Sequence, residues 1–225
     1  MPVFKLTDSL VFPPPELARS DGLLAVGGDL SPERLLLAYQ LGIFPWYAAG
    51  EPILWWAPDP RCVLFPDEFH SSRRLTRTLR RKVFTVTFDQ AFERVITECA
   101  RIRLEQGEET WIDDAMIDAY CRLHGLGYAH SVECWRGDTL AGGLYGVCLG
   151  AMFFGESMFS RVRDASKVAL AHLVQFGKRH NWLAIDCQVP SDHLHRLGAR
   201  DIPAALFRRL LATALTAPYQ PGPWR

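Results

Sequence analysis

Two carboxylates in this chain occupy positions where a carboxylate needs a partner or a task. Glu156 lies inside the apolar, glycine-flanked run Phe154-Gly155-Glu156-Ser157-Met158-Phe159-Ser160, and Asp186 interrupts the strand-like stretch Ile185-Asp186-Cys187-Gln188. Removing an ionised acid from water is costly unless it is paired or hydrogen-bonded. Each site therefore fits either a buried acid held by an arginine or an acid kept for proton transfer. Side chains two apart on a strand share a face, so Asp186 and Gln188 are expected side by side.

A third feature is cationic. Arg73-Arg74-Leu75-Thr76-Arg77-Thr78-Leu79-Arg80-Arg81-Lys82 holds six basic residues and no acid, in a chain whose Lys+Arg and Asp+Glu totals are equal at 25. At helical spacing Leu75 and Leu79 anchor one face while Arg73, Arg77, Arg80 and Arg81 gather on another. Solvated faces mix signs, so a single-sign stretch suits phosphate binding. Trp46, Trp55 and Trp56 crowd a short span and serve either as packing or as a platform for a base.

Other chemistries lack their patterns. No phosphate-binding glycine loop follows a strand, and Ser157 lacks the flanking pattern and nearby base of a serine nucleophile. His193 and His195 form the one close histidine pair, with no cysteine or carboxylate spacing beside them to suggest a metal site. The six cysteines (Cys62, Cys99, Cys121, Cys134, Cys148 and Cys187) are scattered and read as free buried thiols. Met1 to Lys5 lacks the basic start and apolar core of a signal peptide, and no apolar stretch is long enough to span a bilayer, so a cytoplasmic protein without membrane attachment is expected.

The elements that must position these residues follow in order. Proline-rich Phe12–Pro15 is irregular, and Gly22 to Gly28 reads as an apolar loop. Ser31-Pro32 starts a helix that runs to Leu41 before Gly42. Cys62 to Phe65 and Phe84 to Phe88 are predicted strands, and Asp89 is predicted to cap a helix from Gln90 to about Arg103. Leu104 to Glu109 is a loop, and Asp113-Asp114 caps a helix to Leu123. Strands Ala129–Trp135, Thr139–Cys148 and Ala151–Gly155 follow, joined by glycine turns. A long helix runs from Asp164 to about Arg179, then a strand from Trp182 to Gln188 and a short helix capped by Ser191. A last helix spans Ala204–Leu215, and a loose proline-rich tail ends the chain. This order predicts an α+β fold with a mixed, largely antiparallel sheet flanked by helices, and a small N-terminal α+β domain over residues 1–62 beside a larger one over 63–225.

Several strings, taken together, resemble the bacterial leucyl/phenylalanyl-tRNA–protein transferase family: Gly27-Gly28-Asp29-Leu30-Ser31-Pro32, Gly42-Ile43-Phe44-Pro45-Trp46, Trp55-Trp56-Ala57-Pro58-Asp59-Pro60-Arg61, Thr110-Trp111-Ile112, Gly155 to Ser160 with Ala165-Ser166-Lys167, and Ile185 to Gln188. The resemblance is collinear from about Phe12 to Leu215. It implies a GNAT-type acyltransferase domain and an aminoacyltransferase without a cofactor. Such an enzyme moves Leu or Phe, and Met less readily, from aminoacyl-tRNA to the α-amine of an N-terminal Arg or Lys, marking the acceptor for N-degron proteolysis. It further implies catalytic roles for Asp186, Gln188 and Glu156, and stacking of the tRNA's terminal adenosine on Trp46 and Trp111. Leu144, Phe153, Leu170, Leu173 and Ile185 become candidates for an aminoacyl side-chain pocket, although each also reads as plain core. Arg73, Arg74, Arg77, Arg80, Arg81 and Lys82 become tRNA-backbone contacts. A monomer is expected. Two alternatives stand beside this reading: a GNAT-type N-acetyltransferase, for which Arg161-Val162-Arg163-Asp164-Ala165 is a poor pyrophosphate loop, and a non-catalytic RNA-binding module.

Overall fold

The computed structural model describes residues 3–107 and 109–224. Met1, Pro2, Glu108 and Arg225 lie outside the described residues, and with them one residue of the expected Leu104–Glu109 loop.

A small sheet forms first, from β1 (Phe4–Leu6), β2 (Leu23–Gly27), β3 (Phe44–Pro45) and β4 (Leu54–Trp56), in the order β1-β2-β4-β3. Residues 22–28, expected as a loop, instead supply β2. Gly22, Gly27 and Gly28 take positive φ, and the apolar run between the first two pairs with both β1 and β4. Helix α1 (Pro32–Gln40) starts as predicted, with the Ser31 side chain accepting the Arg34 amide and Pro32 in the first turn. Trp55 is wholly buried and its indole donates to the Gly27 carbonyl at 2.8 Å, so this ring packs.

The larger sheet holds β5 (Arg61–Leu64), β6 (Thr85–Phe88), β7 (Ala129–Arg136), β8 (Thr139–Leu149), β9 (Met152–Ser160), β10 (Ala184–Gln188) and β11 (Arg200–Ile202), ordered β11-β5-β10-β9-β8-β7-β6. Of these pairs only β9–β10 is parallel. Helices α2 (Arg73–Arg80) and α5 (Ala165–Arg179) lie toward one core cluster. Helices α3 (Phe92–Glu105), α4 (Asp114–Gly125) and α7 (Ala204–Leu215) lie toward the other, which α1 joins; α6 (Asp192–Arg196) is a short surface turn. The fold is thus α+β with a mixed, largely antiparallel sheet covered on both faces.

Three local expectations fail for identifiable reasons. β9 runs on to Ser160 rather than ending at Gly155, because a register shift at Tyr145/Gly146 absorbs one residue and pairing with β8 resumes beyond it. Asp89 does not cap α3; the cap position is Ala91, and Asp89, at φ +56°, accepts the Ser131 amide at 2.9 Å and faces the His130 ring. The proline-rich tail is not loose. Tyr219 donates to the Gly127 carbonyl at 2.8 Å, and the Trp224 amide donates to Asp89 at 2.7 Å.

Candidate active site

A cavity of about 390 Å³ opens where the small sheet, the middle of β9, the C-terminal end of β10, and α5 meet. Its apolar wall includes Leu144 from β8, Phe153 from β9, Leu170 and Leu173 from α5, and Ile185 from β10. Trp46 and Trp111 also line it; Trp46 is 42% exposed, and the two rings meet edge to face at 6.3 Å. A flat group entering there can lie on one ring and meet the edge of the other. Glu156 and Gln188 line it too.

Glu156 sits mid-strand on β9, half-buried, with one carboxylate oxygen accepting the Tyr39 hydroxyl at 2.7 Å and the other accepting the Tyr120 hydroxyl at 3.0 Å. The two tyrosine hydroxyls also touch each other, so α1, α4 and β9 converge on one polar node. Burial raises the Glu156 pKa from 4.5 to about 7, against the opposing pull of the two hydroxyl donors; the Asp186 charge raises it and Arg61 lowers it. Near neutral pH this acid is therefore partly protonated. Burial also holds both phenols well above their ordinary range.

Asp186 is placed differently from the expectation. Ile185 and Cys187 line the cavity, whereas Asp186 does not and is fully buried. Its Oδ1 accepts from Arg61 Nε at 2.8 Å and its Oδ2 from Arg61 Nη2 at 2.6 Å. Arg61 is equally enclosed: Nη1 donates to the Gly42 carbonyl at 2.9 Å, and the guanidinium lies between the rings of Phe44 and Phe207. The shared face expected for Asp186 and Gln188 is lost because the β5–β10 register shifts between them and Gln188 adopts φ +56°. Asp186 Oδ1 also accepts the Gln188 backbone N–H at 3.0 Å and so pins that bulge. Direct contact between the Asp186 carboxylate and an incoming amine is therefore not available in this arrangement.

Two buried polar atoms at the cavity have no hydrogen-bond partner among the described residues, Gln188 Nε2 and the Tyr145 hydroxyl. A buried donor left unmet costs free energy and marks where a ligand acceptor would be welcome. Tyr39, Tyr120, Arg61 and Tyr145 were not singled out as site residues in the sequence. The three tyrosines sit in regular apolar patterns that do not distinguish them, and Arg61, though it ends the Trp55–Arg61 string, carries no local sign of its partner.

The basic stretch forms a separate groove. Arg73, Arg77, Arg80 and Arg81 line it with Ser71 and Thr76. Arg74 turns away and makes a bidentate pair with Asp164, 3.0 Å from Nε and 2.7 Å from Nη2, at the head of α5. Lys82 lies just beyond the helix, exposed, at φ +48°. Of the histidine pair considered for metals, His195 is brought by the fold beside Cys62 and Asp201, with donor atoms of the three within 4.8 Å of one another. Two of the three, His195 and Asp201, are exposed and already hydrogen-bonded to each other at 3.1 Å, beside a buried thiol.

Residues 63–212 match the family model described as leucyl/phenylalanyl-tRNA protein transferase, and residues 28–59 match the model for that family's N-terminal domain. The chain belongs to the leucyl/phenylalanyl-tRNA–protein transferase family. A relative of that name from Syntrophobacter fumaroxidans is 60% identical over 212 residues, covering 94% of this chain and 91% of the relative. Another from Desulforapulum autotrophicum is 54% identical over 224 residues, covering 100% of this chain and 98% of that protein. Among solved structures, L-PGS from Bacillus licheniformis is 12% identical with a TM-score of 0.40 over 75% of this chain and 54% of that one, a likeness too slight to argue from. In this transferase-family chain both matched segments contribute to the cavity: Trp46 comes from residues 28–59, and Glu156 and Gln188 from residues 63–212.

Proposed function

We propose that this protein transfers Leu or Phe, and Met less readily, from aminoacyl-tRNA to the α-amine of proteins beginning with Arg or Lys, marking them for N-degron proteolysis. The observation that carries this reading is the composition of one cavity, whose lining combines an apolar wall with Glu156, Gln188 and two tryptophans, in a chain of the transferase family. We read the enzyme as a monomer. Among the described residues no helix is long and apolar enough to cross a membrane. We read residues 1–62 and 63–225 as two domains, the second GNAT-like, and place the protein in the cytoplasm, where aminoacyl-tRNA is found.

The reaction needs no nucleotide hydrolysis, because the aminoacyl ester is already activated. The acyl side chain enters among Leu144, Phe153, Leu170, Leu173 and Ile185, where a Cβ branch fits poorly. The terminal adenosine rests on Trp46 and Trp111, while Arg73, Arg77, Arg80, Arg81 and Lys82 hold tRNA phosphates without reading bases. Glu156 binds the cationic acceptor end by charge-assisted hydrogen bonds. With a pKa of about 7 it is also suited to take the proton as the amine attacks the ester carbon. Gln188 Nε2, otherwise unmatched, donates to the carbonyl oxygen as it gains charge. The C–O bond to the ribose then breaks, and the tRNA hydroxyl leaves with a proton. Asp186 acts through Gln188 and Arg61 as a positioning residue.

The acetyltransferase alternative is disfavoured by the head of α5, where the Asp164 carboxylate, tied to Arg74, stands at the position a pyrophosphate would need. Mixing the protein with Leu-tRNA and an Arg-starting peptide should give a Leu-extended peptide by mass spectrometry; no extension with Leu, Phe or Met would overturn the proposal.

A further inference from the structure

The back of the cavity wall is held by residues that do not touch the cavity. Phe153 lines it, and its ring is confined from two directions. On one side lies Gly146, where a Cβ would fall 2.6 Å from the Phe153 ring tip. On another, Trp182 stacks on Phe153 with centroids 5.3 Å apart and planes within 10°, and Trp224 packs at 5.8 Å. Trp224 is itself locked in place. Its indole stacks on His130 at 3.9 Å and on Phe176 at 4.5 Å, and its amide donates to Asp89 Oδ2. His130 in turn spans Asp89 and the Tyr219 hydroxyl, each at 2.7 Å. A segment rich in proline is thereby fastened across the sheet, with an aromatic plug at its end.

We propose that Trp224 is a specificity-determining positioning residue. By filling the space behind Phe153 it sets the depth of the aminoacyl pocket, and with it the ratio of Phe to Leu transfer. This rests on reading the cavity as the acyl pocket. Protein interiors are close-packed, so a ring with a filled space behind it cannot retreat, whereas one with a void behind it can. Without Trp224, Phe153 swings back, the pocket deepens, and the bulkier phenylalanyl side chain gains relative to leucyl.

The test is a competition in which Leu-tRNA and Phe-tRNA, both below saturation, are offered together with one Arg-starting peptide. The product ratio then reports the ratio of kcat/KM values. Trp224→Ala is expected to raise the Phe:Leu ratio about tenfold, the scale on which a hydrophobic pocket discriminates small differences in size. Trp224→Phe should shift it the same way by a smaller factor, and carries the test if the alanine variant is insoluble. In a Phe153→Leu background Trp224→Ala should add nothing, since the effect passes through that ring. A wild-type ratio in the Trp224 variants, whether or not the melting temperature falls, overturns the proposal. So does an undiminished shift in the Phe153→Leu background. If the unmodified protein extends no peptide at all, it is the parent reading that has failed, and this one falls with it.

Discussion

Replacing Glu156 with Gln should change the pH dependence of stability in a defined direction. The Glu156 pKa is raised from 4.5 to about 7, chiefly by burial. Below pH 4.5 the carboxyl is protonated in both the folded and the unfolded chain. Between 4.5 and 7 the unfolded chain has released the proton and the folded one keeps it, so folding becomes less favourable as pH rises through this window. Above about pH 7 both forms are ionised and the difference stops growing. The displacement corresponds to about 3 kcal/mol in total. Glutamine keeps an oxygen that can accept from Tyr39 or Tyr120 but cannot ionise. The stability of Glu156→Gln relative to wild type should therefore climb by about 3 kcal/mol from pH 4 to pH 7.5 and level off. Urea denaturation followed by tryptophan fluorescence at a series of pH values, on both proteins, reads this directly, because titrations shared by the two cancel. A difference that stays flat over that range, or one that shrinks as pH rises, would refute the placement of this carboxyl in a desolvated node.

The buried Arg61–Asp186 pair predicts non-additivity: Arg61→Met or Asp186→Leu alone should each destabilise by about 3–5 kcal/mol, and the double variant by less than either, as read from urea midpoints. Equal or additive losses would contradict a fully enclosed pair. In the basic groove, Arg77→Ala and Arg80→Ala should each lower the slope of log affinity against log salt for tRNA by close to one. Arg74→Ala should leave that slope near wild type, since Asp164 already neutralises Arg74; an equal drop would mean that this pair opens on binding. Gln188→Leu, which removes the unmatched donor, should lower kcat about 100-fold or more with little change in KM. A rise in KM alone would assign Gln188 to ground-state binding.

What could be read from the residues divides along physical lines. The start of α1 was legible because Ser31-Pro32 is a local signal, and the arginine face of α2 because Leu75 and Leu79 fix its phase. The Asp186–Gln188 relation was misjudged because alternation assumes an unbroken strand, and a positive φ at a glutamine leaves no mark in composition. Arg61 was visible as a residue but not as a partner, since it lies 125 positions from Asp186 and only the β5–β10 pairing joins them. The tyrosines on Glu156 point inward from α1 and α4 at positions where any large side chain would fit the helical period. Likewise Leu144, Phe153, Leu170, Leu173 and Ile185 cannot be told from ordinary core by their own pattern; only the resemblance marked them, and they share one cavity. The tail misled because prolines suggest slack, while Tyr219 and Trp224 tie it down.

The central claim is that the aminoacyl group reacts inside this cavity, and the most direct test is to fill it. Leu173→Trp places an indole where the acyl side chain would lie. Single-turnover transfer from Leu-tRNA to an Arg-starting peptide should fall at least about 100-fold, the cost of several kcal/mol of steric exclusion, while tRNA binding through the arginine groove and the melting temperature stay near wild type. Undiminished transfer by a folded Leu173→Trp protein would contradict the account.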